Sequence, residues 1–127
     1  EYKRIHSPAE TEAILRAVIG NADREQFVVL ALDGRNQVIG ANVVSIGTLT
    51  LSVVHPREVF KSVVLLNAAA LLIGHNHPSG DPAPSPEDIA LTKRLKECGV
   101  LMGMAILDHI IIGDAGRAYS FADHGVL

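Results

Sequence analysis

Residues 74–88 read GHNHPSGDPAPSPED. The apolar run 69–73 leads straight into Gly74 and His75, as a buried central strand does. Pro and Gly crowd the middle, the composition of a loop. Ser85-Pro86-Glu87-Asp88 then has the form of a helix start: a Ser cap, Pro at the first helical position and an acid three residues after the cap. Strand, loop and helix in that order make the unit from which α/β domains are built. Turn chemistry accounts for the Gly and Pro but not for two imidazoles one residue apart at a strand end.

The flanking chain extends this unit. Ser7-Pro8-Ala9-Glu10 is a second capping box, with Ile14, Ala17 and Val18 as the expected apolar stripe and Gly20 as the stop. Residues 27–32 (FVVLAL) read as a buried strand, 33–36 (DGRN) as a turn, and 37–46 as a second strand paired with the first in a hairpin. Residues 47–52 read as irregular, with one short strand at most. A second helix is expected from Pro56, with Val59, Phe60, Val63, Val64 and Asn67 facing the core. The third is expected to run from Pro86 and end before Gly99. Residues 100–107 and 109–112 read as two further strands, and the tail from Tyr119 as the last of the sheet. The expectation is one α/β domain over residues 1–127, a mixed sheet flanked by about three helices.

Composition narrows the function. The 127 residues carry a formal charge of −3, with 48% hydrophobic and only 4% aromatic residues and no Trp. No basic tract or aromatic platform suggests a nucleic-acid surface. A lone cysteine, Cys98, rules out an internal disulfide and suits a reducing compartment. No apolar run approaches the roughly 18 residues of a membrane span. The first residues, EYKRIHSPAE, do not resemble a signal peptide and lack an initiator Met. These features lead us to expect a cytoplasmic domain taken from a longer chain.

The chemistry gathers around residues 75–88. In extended backbone, residues i and i+2 point to one side, so His75 and His77 can converge on one ion. A helical wheel at ~100° per residue puts Asp88 within about 60° of Leu91, Thr92 and Leu95, while Glu87 faces water. An inward carboxylate needs a partner. Capping and metal ligation compete for Asp88, and its inward orientation favours ligation. Two His and one carboxylate leave a fourth position open, the pattern of a catalytic zinc, and equally that of a non-haem iron(II) triad. A general base is also required. Glu10, Glu12, Glu25, Glu58, Asp33, Asp81 and Asp108 are the formal candidates. Glu25, just ahead of the first strand, can reach across to the next strand's end, although an exposed strand-start Glu is the plainer reading. His55, before helix 2, is a possible partner for a ligand imidazole. His109, in LDHIIIG, reads as a satisfied core or edge histidine. No Cys-x-x-Cys follows the histidines, so a nucleobase deaminase site is not supported.

Together these residues resemble the JAMM motif of the MPN (JAB) metalloprotease superfamily: an upstream Glu, His-x-His-Pro, six residues, Ser, two residues, Asp. Here it reads Glu25, then His75-Asn76-His77-Pro78, SGDPAP, Ser85-Pro86-Glu87-Asp88. The segments VHPREVFK, NAAALLIGHNHP and LDHIIIGD extend the likeness to the bacterial RadC family over essentially the whole chain. The resemblance implies a cytidine-deaminase-like fold and one zinc ion on His75, His77 and Asp88. It further implies Glu25 as the base that activates water and Ser85 as a donor to the developing oxyanion. The implied activity is hydrolysis of a peptide or isopeptide bond in a protein or peptide substrate. The alternative is a non-catalytic protein- or DNA-binding module, since the family is associated with DNA repair. Family members typically carry an N-terminal helix-hairpin-helix segment.

Overall fold

The computed structural model describes residues 4–21, 23–47, 54–114 and 116–127. Its elements run α1 (Pro8–Ile19), β1 (Gln26–Leu32), β2 (Val38–Ile46), α2 (Pro56–Leu65), β3 (Ala70–Asn76), α3 (Pro86–Met102), β4 (Ala105–Ile112) and β5 (Ala118–Ser120). The five strands form one mixed sheet in the order β2-β1-β3-β4-β5. β1 and β2 form the expected hairpin, and β1 pairs antiparallel with β3. β3 and β4 run parallel, with α3 between them in the chain, and β5 closes the far edge antiparallel to β4. This is the α/β architecture of a mixed sheet with three helices. Among the described residues no helix is long and apolar enough to cross a membrane. The short strand considered within residues 47–52 falls, beyond Gly47, outside the described residues.

Two cores follow from the period-2 alternation of the central strands. Phe27, Val29, Ala31, Leu71 and Ile73 pack with Val59, Phe60 and Val63 of α2 and Leu91 and Leu95 of α3. Val28, Leu30, Leu32, Leu72, Ile110 and Ile112 face the other way, against Leu15 and Ile19 of α1. The α1 stripe is therefore Thr11, Leu15 and Ile19, while Ala17 and Val18 are exposed. Of the expected stripe, Ile14 packs partly against this core, but Ala17 and Val18 do not, because the face is centred on Leu15, which drops into the gap left by Gly74. A Cβ on Gly74 would stand 2.3 Å from Leu15 Cδ1.

Three further expectations need correction. In α2, Val59, Phe60 and Val63 are buried, but Val64 is exposed and Asn67 lies beyond the helix at φ 53°. α3 does not end before Gly99. It runs to Met102 and stops at Gly103, whose φ of 69° supplies the left-handed cap. Gly99 serves packing instead, since a Cβ there would lie 2.4 Å from the carbonyl oxygen of Met104. Residues 100–102 are thus helical. The two strands expected over 100–107 and 109–112 are one strand, β4.

β4 contains the irregularity that matters most. Leu71 pairs with Ile106, but Leu72 pairs with Asp108, so Leu107 is an extra residue. A bulge of this kind re-aims the side chains after it. Beyond it His109 pairs with Ile73 and shares its face, the side covered by α2 and α3. The buried Asp108 carboxylate stabilises the bulge: Oδ1 accepts from His109 N at 2.7 Å and Ala122 N at 2.9 Å, and Oδ2 accepts from Ser120 Oγ at 2.6 Å.

Candidate metal centre

The site forms where β3 ends and α3 begins. His75 lies on β3, opposite Phe27 of β1, fully buried, with its ring stacked on Phe27 at 6.1 Å between centroids. His77 follows the strand, and its backbone N donates to Ile112 O at 2.8 Å, which extends the β3–β4 pairing by one rung. Asp88 sits in the first turn of α3, 4% exposed, on the inward stripe with Leu91, Thr92 and Leu95.

Two imidazole nitrogens and both oxygens of one carboxylate converge here. His75 Nε2 is 3.1 Å from His77 Nε2. Asp88 Oδ1 is 3.2 Å from His75 Nε2, and Asp88 Oδ2 is 3.1 Å from His77 Nε2. A tetrahedral ion with bonds of about 2.0–2.1 Å holds its ligand atoms about 3.3–3.4 Å apart. Each of these contacts is close to that spacing. Glu25 is also close: with His75 and His77 it offers a set of ligand atoms within 4.8 Å of one another, which could hold a metal ion. Two carboxylates thus lie near the imidazole pair, Asp88 within 3.2 Å of it.

Hydrogen bonds determine which ring nitrogens carry protons. Thr92 Oγ1 donates to the carbonyl of Asp88 at 2.8 Å, because a carbonyl only accepts. Its oxygen therefore receives the proton of His109 Nδ1 at 2.5 Å. Neutral His109 then accepts at Nε2, from His75 Nδ1 at 2.8 Å. His77 Nδ1 likewise donates to the carbonyl of Asp81 at 2.8 Å. Both ligand-side Nε2 atoms are left with a lone pair, facing each other and a carboxylate. Lone pairs at such distances repel unless a proton or a metal ion lies among them, and the two imidazoles and carboxylate are a donor set that fits a metal ion.

When the imidazoles take up a second proton on Nε2, the same contacts become hydrogen bonds to the carboxylate. Burial by itself would raise the Asp88 pKa, but bonds from protonated His75 and His77, with help from Ser85 N, hold it far below the usual carboxylate range. The Asp88 contact raises the His77 pKa against the opposing effect of burial, with smaller contributions from the Asp81 carbonyl and Glu25. Complete burial drives the His109 pKa well below the ordinary imidazole value, and the neighbouring charge of His75 adds to this.

Capping does not draw the Asp88 carboxylate away from the imidazoles. Its N donates to Ser85 Oγ at 3.0 Å, and its Oδ2 accepts from Ser85 N at 2.8 Å while still reaching His77. The box on α1 is looser: Glu10 N reaches Ser7 Oγ at 3.4 Å, but the Glu10 carboxylate accepts from His6 N. Glu25 is placed by Asn76, a residue to which sequence reasoning gave no role. Asn76 Oδ1 accepts from Gln26 N at 2.7 Å and Nδ2 donates to Arg24 O at 3.1 Å, which pins the backbone on both sides of Glu25. Other candidate bases are engaged elsewhere: Glu12 with Arg16, Asp33 in its turn, and Asp108 at the bulge. His55 stands exposed at the α2 cap with no side-chain hydrogen bond to the cap. The partner of the His75 ring is His109 instead. Its aromatic setting, stacked on Phe121 at 4.5 Å, hides that polar role from any reading of hydrophobic pattern.

A cavity of about 360 Å³ opens beside His77, lined in part by Arg16, Asn76, Pro78 and Gly113. Arg16 closes its far wall by donating to the carbonyls of Gly113, Asp114 and Arg117 at 3.3, 3.2 and 2.9 Å.

The profile of the RadC-like JAB domain matches residues 5–126. This chain belongs to the RadC-like JAB domain family. It is 50% identical over 123 residues to a UPF0758 protein of Methanosarcina acetivorans, covering 97% of this chain and 53% of that protein. A UPF0758 protein of Pelobacter propionicus is 52% identical over 124 residues, covering 98% of this chain and 54% of the relative. One from Desulforamulus reducens is 53% identical over 117 residues, covering 84% and 52%. The RadC-like chain thus spans about half the length of the curated relatives it matches.

Proposed function

We propose that this RadC-like domain holds one zinc ion on His75, His77 and Asp88 and hydrolyses an amide bond, peptide or isopeptide, in a protein or peptide substrate. The observation that carries this reading is the convergence of His75 Nε2, His77 Nε2 and the Asp88 carboxylate, with contacts of 3.1, 3.2 and 3.1 Å, between a strand end and a helix start. Zinc bound there supplies a Lewis acid and a water of lowered pKa.

The protein's own groups account for the remaining chemistry. Glu25, near the imidazole pair and anchored through the backbone of its neighbours by Asn76, takes the proton of the attacking water and returns it to the amine that leaves as the C–N bond breaks. Ser85 Oγ receives Asp88 N through a lone pair, which leaves its hydroxyl proton free to donate to the carbonyl oxygen as negative charge develops. Its position at the N-terminus of α3 adds a field that favours that charge. The cavity beside His77 offers room for the chain flanking the scissile bond.

The test pairs metal content with cleavage. Zinc would be measured in the purified domain and in Glu25→Gln and His77→Ala variants. New termini would be sought by mass spectrometry in a protein-derived peptide mixture. We expect Glu25→Gln to keep zinc and lose turnover, and His77→Ala to lose both. Loss of zinc from Glu25→Gln would make Glu25 a ligand and leave the base unassigned. A domain that takes up no zinc yet binds single-stranded DNA tightly would favour a binding module.

A further inference from the structure

We propose that Thr92 and His109 are positioning residues that hold His75 in the one tautomer able to bind metal. The inference rests on the metal reading above and extends it to two residues that would touch the ligand side chain or backbone but not the ion. The chain of donors has one direction, set at its far end. Thr92 has a single hydroxyl proton, and the Asp88 carbonyl claims it. His109 Nδ1 must therefore donate, its Nε2 must accept, and His75 must carry its proton on Nδ1. The β4 bulge makes this possible by turning His109 onto the face of Ile73 and His75. Thr92 is 2% exposed and His109 0%, so water cannot substitute for either partner.

Reversed, the chain would place a proton on His75 Nε2, aimed at Asp88 Oδ1 across 3.2 Å. That arrangement gains a charge-assisted bond and abolishes the ligand. Without the Thr92 hydroxyl, nothing holds His109 Nδ1 as a donor, and the reversed chain prevails. The same carboxylate that would bind the metal is thus the competitor that the relay holds off.

Thr92→Val keeps the shape and removes the hydroxyl, and Thr92→Ser restores it. Long-range ¹H–¹⁵N spectra of the metal-free protein at alkaline pH report which nitrogen of His75 is protonated. Competition with a chromophoric chelator reports zinc affinity. The expected result is protonation on Nδ1 in the parent and Thr92→Ser, and on Nε2 in Thr92→Val, with zinc bound about 10–100-fold more weakly by Thr92→Val alone. Should Thr92→Val fail to fold, His109→Gln retains an acceptor for His75 and His109→Leu does not. The first should then bind zinc within a few-fold of the parent and the second about 10–100-fold more weakly. Parent-like tautomer and affinity in Thr92→Val, or parent-like affinity in His109→Leu, would overturn the relay. A parent that takes up no zinc overturns the metal reading instead, and the spectra alone then decide the relay.

Discussion

Ser85 and Asp88 exchange hydrogen bonds across the first turn of α3, Asp88 N to Ser85 Oγ at 3.0 Å and Ser85 N to Asp88 Oδ2 at 2.8 Å. The carboxylate that caps the helix also meets both imidazoles. Charge and cap can be separated. In Asp88→Asn the amide oxygen still accepts from Ser85 N, and the amide N–H can donate to an imidazole lone pair. We expect metal-free stability within about 1 kcal/mol of the parent, the scale of one cap interaction, together with loss of most zinc affinity. Asp88→Ala should lose both. Urea denaturation alongside zinc titration distinguishes the two.

Asn76 holds Glu25 indirectly, through bonds to Gln26 N and Arg24 O. Asn76→Ala removes both and leaves two backbone groups unpaired in a part-buried strand end. The expected cost is about 1–3 kcal/mol. Zinc affinity should stay near that of the parent while turnover falls. An Asn76→Ala protein that lost zinc instead would show that Glu25 contributes to binding the ion.

Protons and metal compete for His77 Nε2. Its pKa is raised because the protonated ring bonds to Asp88, with burial opposing. A raised value means that the proton leaves only at a pH above the ordinary ~6.5. Below that point each unit of acidification should weaken zinc binding about tenfold, one proton being released per ion taken up at this ring. On acidification from pH 9 to 5, zinc affinity should therefore begin to fall while the pH is still above about 6.5. A curve flat down to pH 6 would contradict the assignment of His77.

Gly99 gives a stability prediction of opposite sign to helix propensity. Gly to Ala inside an exposed helix gains about 1 kcal/mol. Here the new Cβ would fall 2.4 Å from Met104 O, a backbone atom fixed by its own N–H bond to Gly99 O at 2.8 Å. Gly99→Ala should therefore destabilise the domain by about 1–3 kcal/mol. Chemical denaturation would measure it.

Much of the site was legible because it is local. Residues 75 and 77 share a side by strand period, and Asp88 turns inward by helical period. Ser85 caps whatever helix follows Pro86. Each of these relations spans a few residues of regular backbone, where geometry is set by the chain itself. Proximity of the two imidazoles to Asp88 follows once strand, loop and helix are granted. Of the four misreadings, the α1 stripe, the inner face of α2, the end of α3 and the split of β4, the first and third turn on contact with something outside the helix itself. Leu15 is buried because Gly74 makes room, and Gly99 continues its helix because Met104 needs the space.

The sequence by itself determined that two imidazoles and an inward carboxylate share one strand–loop–helix frame. Only the tertiary structure decided which way the protons point. His109 stands 34 residues beyond His75 and reaches it because one extra residue in β4 shifts the register with β3. No periodicity announces a bulge, since it is stabilised by a buried carboxylate bonded to the tail at Ser120 and Ala122. The tautomer of His75 depends on a partner that cross-strand register supplies.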